Sequence, residues 1–357
     1  MSHLKSRFSL QLILAGFLAL LALQRSSIAA SPQGLILCGS SGEDAYRTKF
    51  AGWSNRLHSV LIKAGFAESN IRILREPESG KPPDESSISL ASIQSALENI
   101  AKMVTPQDDL FIFMIGHGSF INKETRFLIP GPDLNSAQLK SMLAPIKARR
   151  VIVIDSTASS AGFINELSGP NRIICTATKS VNEVNAANFM EYFIQGLEEG
   201  SADSNRDERI SVLEACRQAG FLTEAGFQDR GLVPTEHCIL DDNGDELGTR
   251  VLDISDSEKI ASPDQAGKTA AEGALSANCF IKDFIFPPAV SSELSEKYIG
   301  LLSQIDDLKT KKGTMPVAEY MHKLEELLID AAKVNREIHQ RIEEADRVEK
   351  PAEVKGQ

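Results

Sequence analysis

The sequence predicts an α/β domain built on a largely parallel central sheet flanked by helices, followed by a C-terminal α-helical hairpin. Three observations predict it. Short apolar runs recur between residues 34 and 180, separated by stretches whose apolar residues return every three or four positions. Two of those runs stop at polar clusters that hold the most reactive side chains of the chain, as expected where strand ends carry a site. Beyond residue 290 only the helical spacing remains. Strands separated by helices form βαβ units, whose parallel strands are covered on both faces.

GLILCGSS (34–41) reads as an apolar strand ending in a Gly/Ser turn. A helix follows, with Phe50, Trp53, Leu57, Val60 and Leu61 on one face. IRIL (71–74) is the next strand, and the polar, proline-rich 75–87 is a loop leading into a helix around 88–103. DLFIFMIGHGS (109–119) is a buried strand that stops at Gly-His-Gly. RFLIP (126–130) is a short strand, and 136–146 a helix with Ser136 as its expected cap. RRVIVIDSTASS (149–160) and NRIICTATKS (171–180) are two further strands. A helix over 186–200 presents Phe189, Tyr192, Phe193 and Leu197 on one face, and another is expected near 211–219. Residues 251–290 show no clear period and read as a linker. The hairpin spans 291–348, with one stripe of Leu301, Leu302, Ile305 and Leu308 and another of Leu324, Leu327, Leu328, Ala331, Val334, Ile338 and Ile342. It is expected to pack on itself or dock on the sheet domain; an oligomerising coiled coil is the alternative. The tail 349–357 is expected to be loose.

The charge balance of 38 Lys+Arg against 49 Asp+Glu, a net −11, argues against a nucleic-acid or anionic-membrane binder, which needs a basic face. Lys5 and Arg7 precede the uncharged run 8–23, and small residues follow at 26–31. That is the pattern of a secretory signal over 1–30, cut after Ala30, so an exported protein (periplasmic or extracellular) with no remaining membrane span is expected. An uncleaved anchor is the alternative. Five dispersed cysteines, Cys38, Cys175, Cys216, Cys238 and Cys279, do not make a disulfide scaffold, and no C-x-x-C pair suggests zinc.

Four segments carry a likeness in order: LILCGSSGEDAYRTKF (35–50), FIFMIGHGSF (111–120), VIVIDSTASS (151–160) and CTATKSVNE (175–183). Together they resemble the caspase-fold cysteine proteases, in particular the legumain-like peptidases, over residues 30–245. The resemblance implies a caspase-like domain over 31–250 and, by descent, an endopeptidase acting after Asn or Asp. It puts the catalytic His at His117 and the oxyanion-hole glycine at Gly118, with the nucleophile position at Thr157. The family attacks the peptide carbonyl with a Cys thiolate, and 150–165 contains no Cys. Ala45 stands where legumain-like enzymes carry an Asn that supports the His. Arg47 matches the basic residue that grips an Asn or Asp side chain, Asp155 an acidic member of that pocket, and Thr48 stands where a His is usual. The residue-level alternative for Arg47 and Asp155 is a structural ion pair or strand-end hydrogen bonding. A threonine hydroxyl is far less acidic than a thiol and needs a closely bonded base. The expectation is therefore an impaired enzyme that binds a peptide or protein, or acts as a scaffold. His237 beside Cys238 is not a dyad, because adjacent strand residues point to opposite faces.

DSNRDERISVLE (203–214) has the spacing of a helix–loop–helix Ca²⁺ site. Asp203, Asn205, Asp207, the Arg209 carbonyl, Ser211 and Glu214 stand at ligand positions 1, 3, 5, 7, 9 and 12, whereas Glu208 replaces the glycine of position 6. A solvated acidic loop is the alternative. The run Asp241, Asn243, Asp245 lacks a twelfth-position acid and reads as a turn. Three functions thus stand side by side: a peptide-binding pseudopeptidase, an active Asn/Asp endopeptidase, and a calcium-stabilised structural module.

Overall fold

The computed structural model describes residues 32–77, 80–185, 187–254, 271–283, 286, 289–310 and 315–349. The expected signal segment, residues 255–270 of the expected linker and the tail from 350 lie outside the described residues. The apolar runs form the strands: β1 is Gln33–Cys38, followed by α1 (Asp44–Lys63), β2 (Ile71–Arg75), α2 (Leu90–Met103) and β3 (Asp109–Ile115). A small antiparallel sheet interrupts the alternation, formed by β4 (Gly118–Ile121), β5 (Glu124–Phe127) and β6 (Leu134–Asn135). The chain continues through α3 (Ser136–Leu143), β7 (Arg150–Asp155), α4 (Gly162–Leu167), β8 (Arg172–Thr176) and α5 (Phe189–Glu199). Next come β9 (Ile210–Ser211), α6 (Val212–Gln228), β10 (Ile239–Asp241), β11 (Thr249–Arg250) and β12 (Phe280–Lys282). Helices α7 (Ser292–Thr310) and α8 (Val317–Glu349) follow.

The central sheet has seven strands in the order β11-β10-β8-β7-β3-β1-β2. The five from β8 to β2 are mutually parallel, and β10 and β11 close one edge antiparallel. Alternation along each strand sorts the core into two layers. Ile36, Phe111, Phe113, Ile152, Ile154 and Ile173 face α1, α5 and α6, whose buried residues include Phe50, Trp53, Phe193 and Cys216. Leu35, Leu37, Leu110, Ile112, Val153 and Ile174 face α2, α3 and α4. At the start of β3, the buried Asp109 carboxylate accepts from Arg149 and from Arg150. Arg150 also donates to the Asn278 carbonyl, 2.6 Å away, tying the sheet to a segment that the periodicity placed in a linker.

The differences from expectation have local causes. Asn135, not Ser136, caps α3: its side chain accepts from Gln138 N–H while the Gln138 side chain accepts from Asn135 N–H, a reciprocal box that Ser136 is one residue too late to make. The stretch after Gly-His-Gly continues as β4 and turns back into β5 through Asn122 and Lys123, both at positive φ (54° and 66°), as a two-residue hairpin turn requires. Part of 251–290 belongs to the domain: β12 pairs antiparallel with β9, and Val251, Ile254, Cys279 and Ile281 enter the core. Tyr192 is only partly buried. In α7 and α8, the shared apolar seam contains Leu294, Tyr298, Ile305, Ala331, Val334 and Ile338, with Leu301, Leu302, Leu324, Leu327 and Ile342 at its margins. Leu328 faces solvent instead. No helix among the described residues is long and apolar enough to cross a membrane.

All five cysteines are reduced and buried, and burial pushes the Cys38 and Cys279 thiols up to about 12. An Ellman titration of the native protein is therefore expected to find no fast-reacting thiol, and five after denaturation. A fast thiol in the native state contradicts that packing.

Candidate active site

Strands β3 and β7 are parallel neighbours, with Met114 opposite Asp155, so the segments that leave their carboxyl ends emerge side by side. His117 lies two residues beyond β3 and Thr157 two residues beyond β7. Ser156 stitches the two exits together, donating from its N–H and its hydroxyl to the Met114 carbonyl at 3.0 and 2.7 Å. Gly118 packs directly on Thr157: a Cβ there would stand 2.6 Å from Thr157 Oγ1 and 2.2 Å from the Ala158 carbonyl oxygen. The structure thus brings His117, Gly118 and Thr157 together at adjoining strand ends.

The chemistry available to them is restricted. Asp155, Ser156, Thr157, Ala158, Ser159 and Ser160 are all buried. Thr157 is 0 % exposed and its Oγ1 has no hydrogen-bond partner in the protein, nor do Asp155 Oδ2 and Ser159 Oγ. The His117 ring lies edge-on to Tyr46 and Phe50 of α1, with centroids 4.6 and 5.2 Å away. Its Nε2 is 3.1 Å from the Ser41 carbonyl. A carbonyl oxygen only accepts, so Nε2 is assigned the proton and is directed at the loop after β1 rather than at Thr157.

Asp155 closes the short turn by accepting from the Thr157 N–H at 2.9 Å. Burial, opposed by hydrogen bonding from Thr157, pushes its carboxyl up to about 7. Ser159 holds a left-handed backbone (φ 56°) and donates its N–H to the Glu183 carbonyl. A serine in that conformation stores about 1 kcal/mol of strain, held by the surrounding buried loop.

Arg47 and Asp155 are held by different partners. Arg47 projects from α1 onto Glu76 at 3.2 Å, and donates to the Pro77 carbonyl at 3.3 Å. Glu76 also accepts from the Ser41 N–H (3.1 Å) and hydroxyl (2.6 Å), so an Arg47–Glu76–Ser41 chain ends on the carbonyl that receives His117 Nε2. Glu76, one residue past β2, had no motif to announce it. Thr48 caps back onto the Asp44 carbonyl. His237 is held by Glu183, 2.5 Å from Nδ1, a half-buried pair remote in sequence. Cys238 points elsewhere, its sulfur 3.4 Å from that of Cys175.

The acidic loop 203–214 adopts the turn that its spacing predicts, with Glu208 at φ 67°. Asp203 accepts from the Asp207 and Glu208 N–H groups, and Asn205 accepts from Asp207 N–H. Asp207 pairs with Arg209 at 3.0 Å, while Glu214 accepts from the Ser211 N–H and hydroxyl and from Ser204. Those acids are thus held by their own loop. A different set is gathered: oxygens of Asp241, Asp245 and Glu272 all lie within 4.8 Å of one another. Glu272 comes from the segment assigned to a linker, so the run 241–245 receives its third acid through space.

No family model matches the chain, and no curated protein matches it.

Proposed function

We propose that this chain is an exported, caspase-fold protein of the legumain-like type that binds a peptide or protein without cutting it. The observation that carries the reading is the Thr157 hydroxyl, fully buried beside Gly118 and not hydrogen-bonded to His117, whose Nε2 is turned to Ser41. Attack by an alcohol needs a base in hydrogen-bond contact, and the Thr157 hydroxyl makes no hydrogen bond to His117. The buried, reduced cysteines offer no substitute nucleophile. A parallel sheet closed by the antiparallel β10 is compatible with the caspase-like fold. The ligand-binding part of the proposal rests on Arg47, 38 % exposed at its side chain, where a ligand Asn or Asp would compete with Glu76. Helices α7 and α8 complete the picture as a hairpin, whose exposed Ile299, Met321 and Ile329 are the residues available to a second copy.

The test incubates the mature protein with Asn- and Asp-containing peptides beside its Thr157→Ala and Thr157→Cys variants. Wild type is expected to show no turnover above the Thr157→Ala blank. Turnover lost only in Thr157→Ala overturns the non-cleaving assignment, and turnover gained in Thr157→Cys shows that the hydroxyl alone blocks it. In the same peptides' binding isotherms, Arg47→Glu is expected to weaken affinity at least about tenfold, ~1.4 kcal/mol. An unchanged isotherm removes Arg47 from the ligand site.

A further inference from the structure

We infer that Asp241, Asp245 and Glu272 form a binding site for a hard divalent cation, Ca²⁺, where the end of β10 meets the returning segment 271–273. Three carboxylate oxygens gathered within 4.8 Å form a concentrated negative site, and oxygen-only donors of this kind select Ca²⁺ over the softer transition metals. The set is more than a surface cluster. Asp241 is 1 % exposed, and its Oδ2 is buried with no hydrogen-bond partner in the protein. Its other oxygen accepts from the Gly244 N–H at 3.0 Å, and the Ser168 hydroxyl also acts on the carboxylate, so Asp241 is held in place within the set. An orphaned carboxylate oxygen in the interior is costly unless something positive meets it.

The other two acids are oriented as well. Asp245 accepts from the Leu247 N–H at 2.8 Å and from the Asn243 side chain at 3.1 Å, and it stands at the exposed side of the set, where an ion enters. Glu272 accepts from the Asp242 N–H. The charged groups that act on Asp241 and Glu272 are themselves carboxylates: Asp242 and Asp245 for the first, Asp241 and Asp242 for the second. Asp242 is spent in the backbone, accepting from the Gly273 and Ser276 N–H groups. No cationic side chain compensates the three acids among the described residues, so the missing positive charge is assigned to an ion. Bound there, the ion joins β10 to the chain that carries Cys279, Ile281 and β12 into the core.

The test uses the full mature chain, stripped with a chelator and titrated calorimetrically with CaCl2, with MgCl2 in parallel, alongside thermal unfolding. Wild type is expected to show a saturable Ca²⁺ heat and a rise in Tm. Asp241→Asn and Glu272→Gln are each expected to weaken the binding at least tenfold, while Asp203→Asn, in the other acidic loop, leaves it unchanged. Asp245→Asn, at the exposed side, gives the same loss should the buried substitutions impair folding. The assignment is overturned by the absence of any heat or Tm shift with either cation, by a response retained in the Asp241, Asp245 and Glu272 variants, or by loss in Asp203→Asn instead.

Discussion

Gly118→Ala is expected to lower stability by about 3 kcal/mol, on the order of 10 °C in Tm. The added methyl meets the Ala158 carbonyl oxygen at 2.2 Å and Thr157 Cβ at 3.0 Å. One obstacle is backbone and the other sits on a turn closed by Asp155, so neither withdraws cheaply. Gly52→Ala, in the middle of α1 with nothing within 4 Å of its new methyl, is the matched control and is expected to stabilise by about 0.5–1 kcal/mol through helix propensity. Equal melting of Gly118→Ala and wild type contradicts the close approach of the β3 and β7 exits on which the candidate site depends.

Asp155→Asn is expected to reshape the pH dependence of stability. The Asp155 carboxyl is pushed up to about 7 by burial, so the folded protein holds this proton more tightly than the unfolded chain does. Its contribution is fully present below the ordinary carboxylate range and is lost as pH climbs through about 7. Between pH 5 and pH 8 wild type should lose about 3 kcal/mol relative to the Asn variant, two units at ~1.36 kcal/mol each. The Asn oxygen still accepts from the Thr157 N–H, which keeps the turn. Parallel curves for the two proteins across that range, measured by denaturant unfolding, refute the buried-proton assignment.

What the sequence makes legible follows from the range of the interactions. Strands β1, β3, β7 and β8 are continuous apolar runs because both their faces are covered, and all five residues of the α1 stripe are buried. The juxtaposition of His117 with the Asp155–Thr157 turn follows from β3 and β7 being neighbours in a parallel sheet; the alternation of elements implies the parallel sheet, and the pairing itself comes from the fold. What stays hidden depends on partners that no period records. Glu76 becomes part of the His117 surroundings only because β2 lies beside β1. Glu272 joins Asp241 only after the chain has returned to the sheet. The burial of Asp155 and the pairing of Arg47 with Glu76 are likewise set by partners far away in sequence. Strand β12 is three residues long, too short to register as an alternation, and its identity as a strand comes from β9.

The pairing of β12 with β9 also resets where an autonomous folding unit ends. A fragment stopped at residue 250, the border suggested by composition, would leave the slots of Cys279 and Ile281 open and the rim of β9 without its mate. Bare backbone of that kind recruits strands from other molecules. The shortest excerpt that preserves this architecture therefore runs through Lys282.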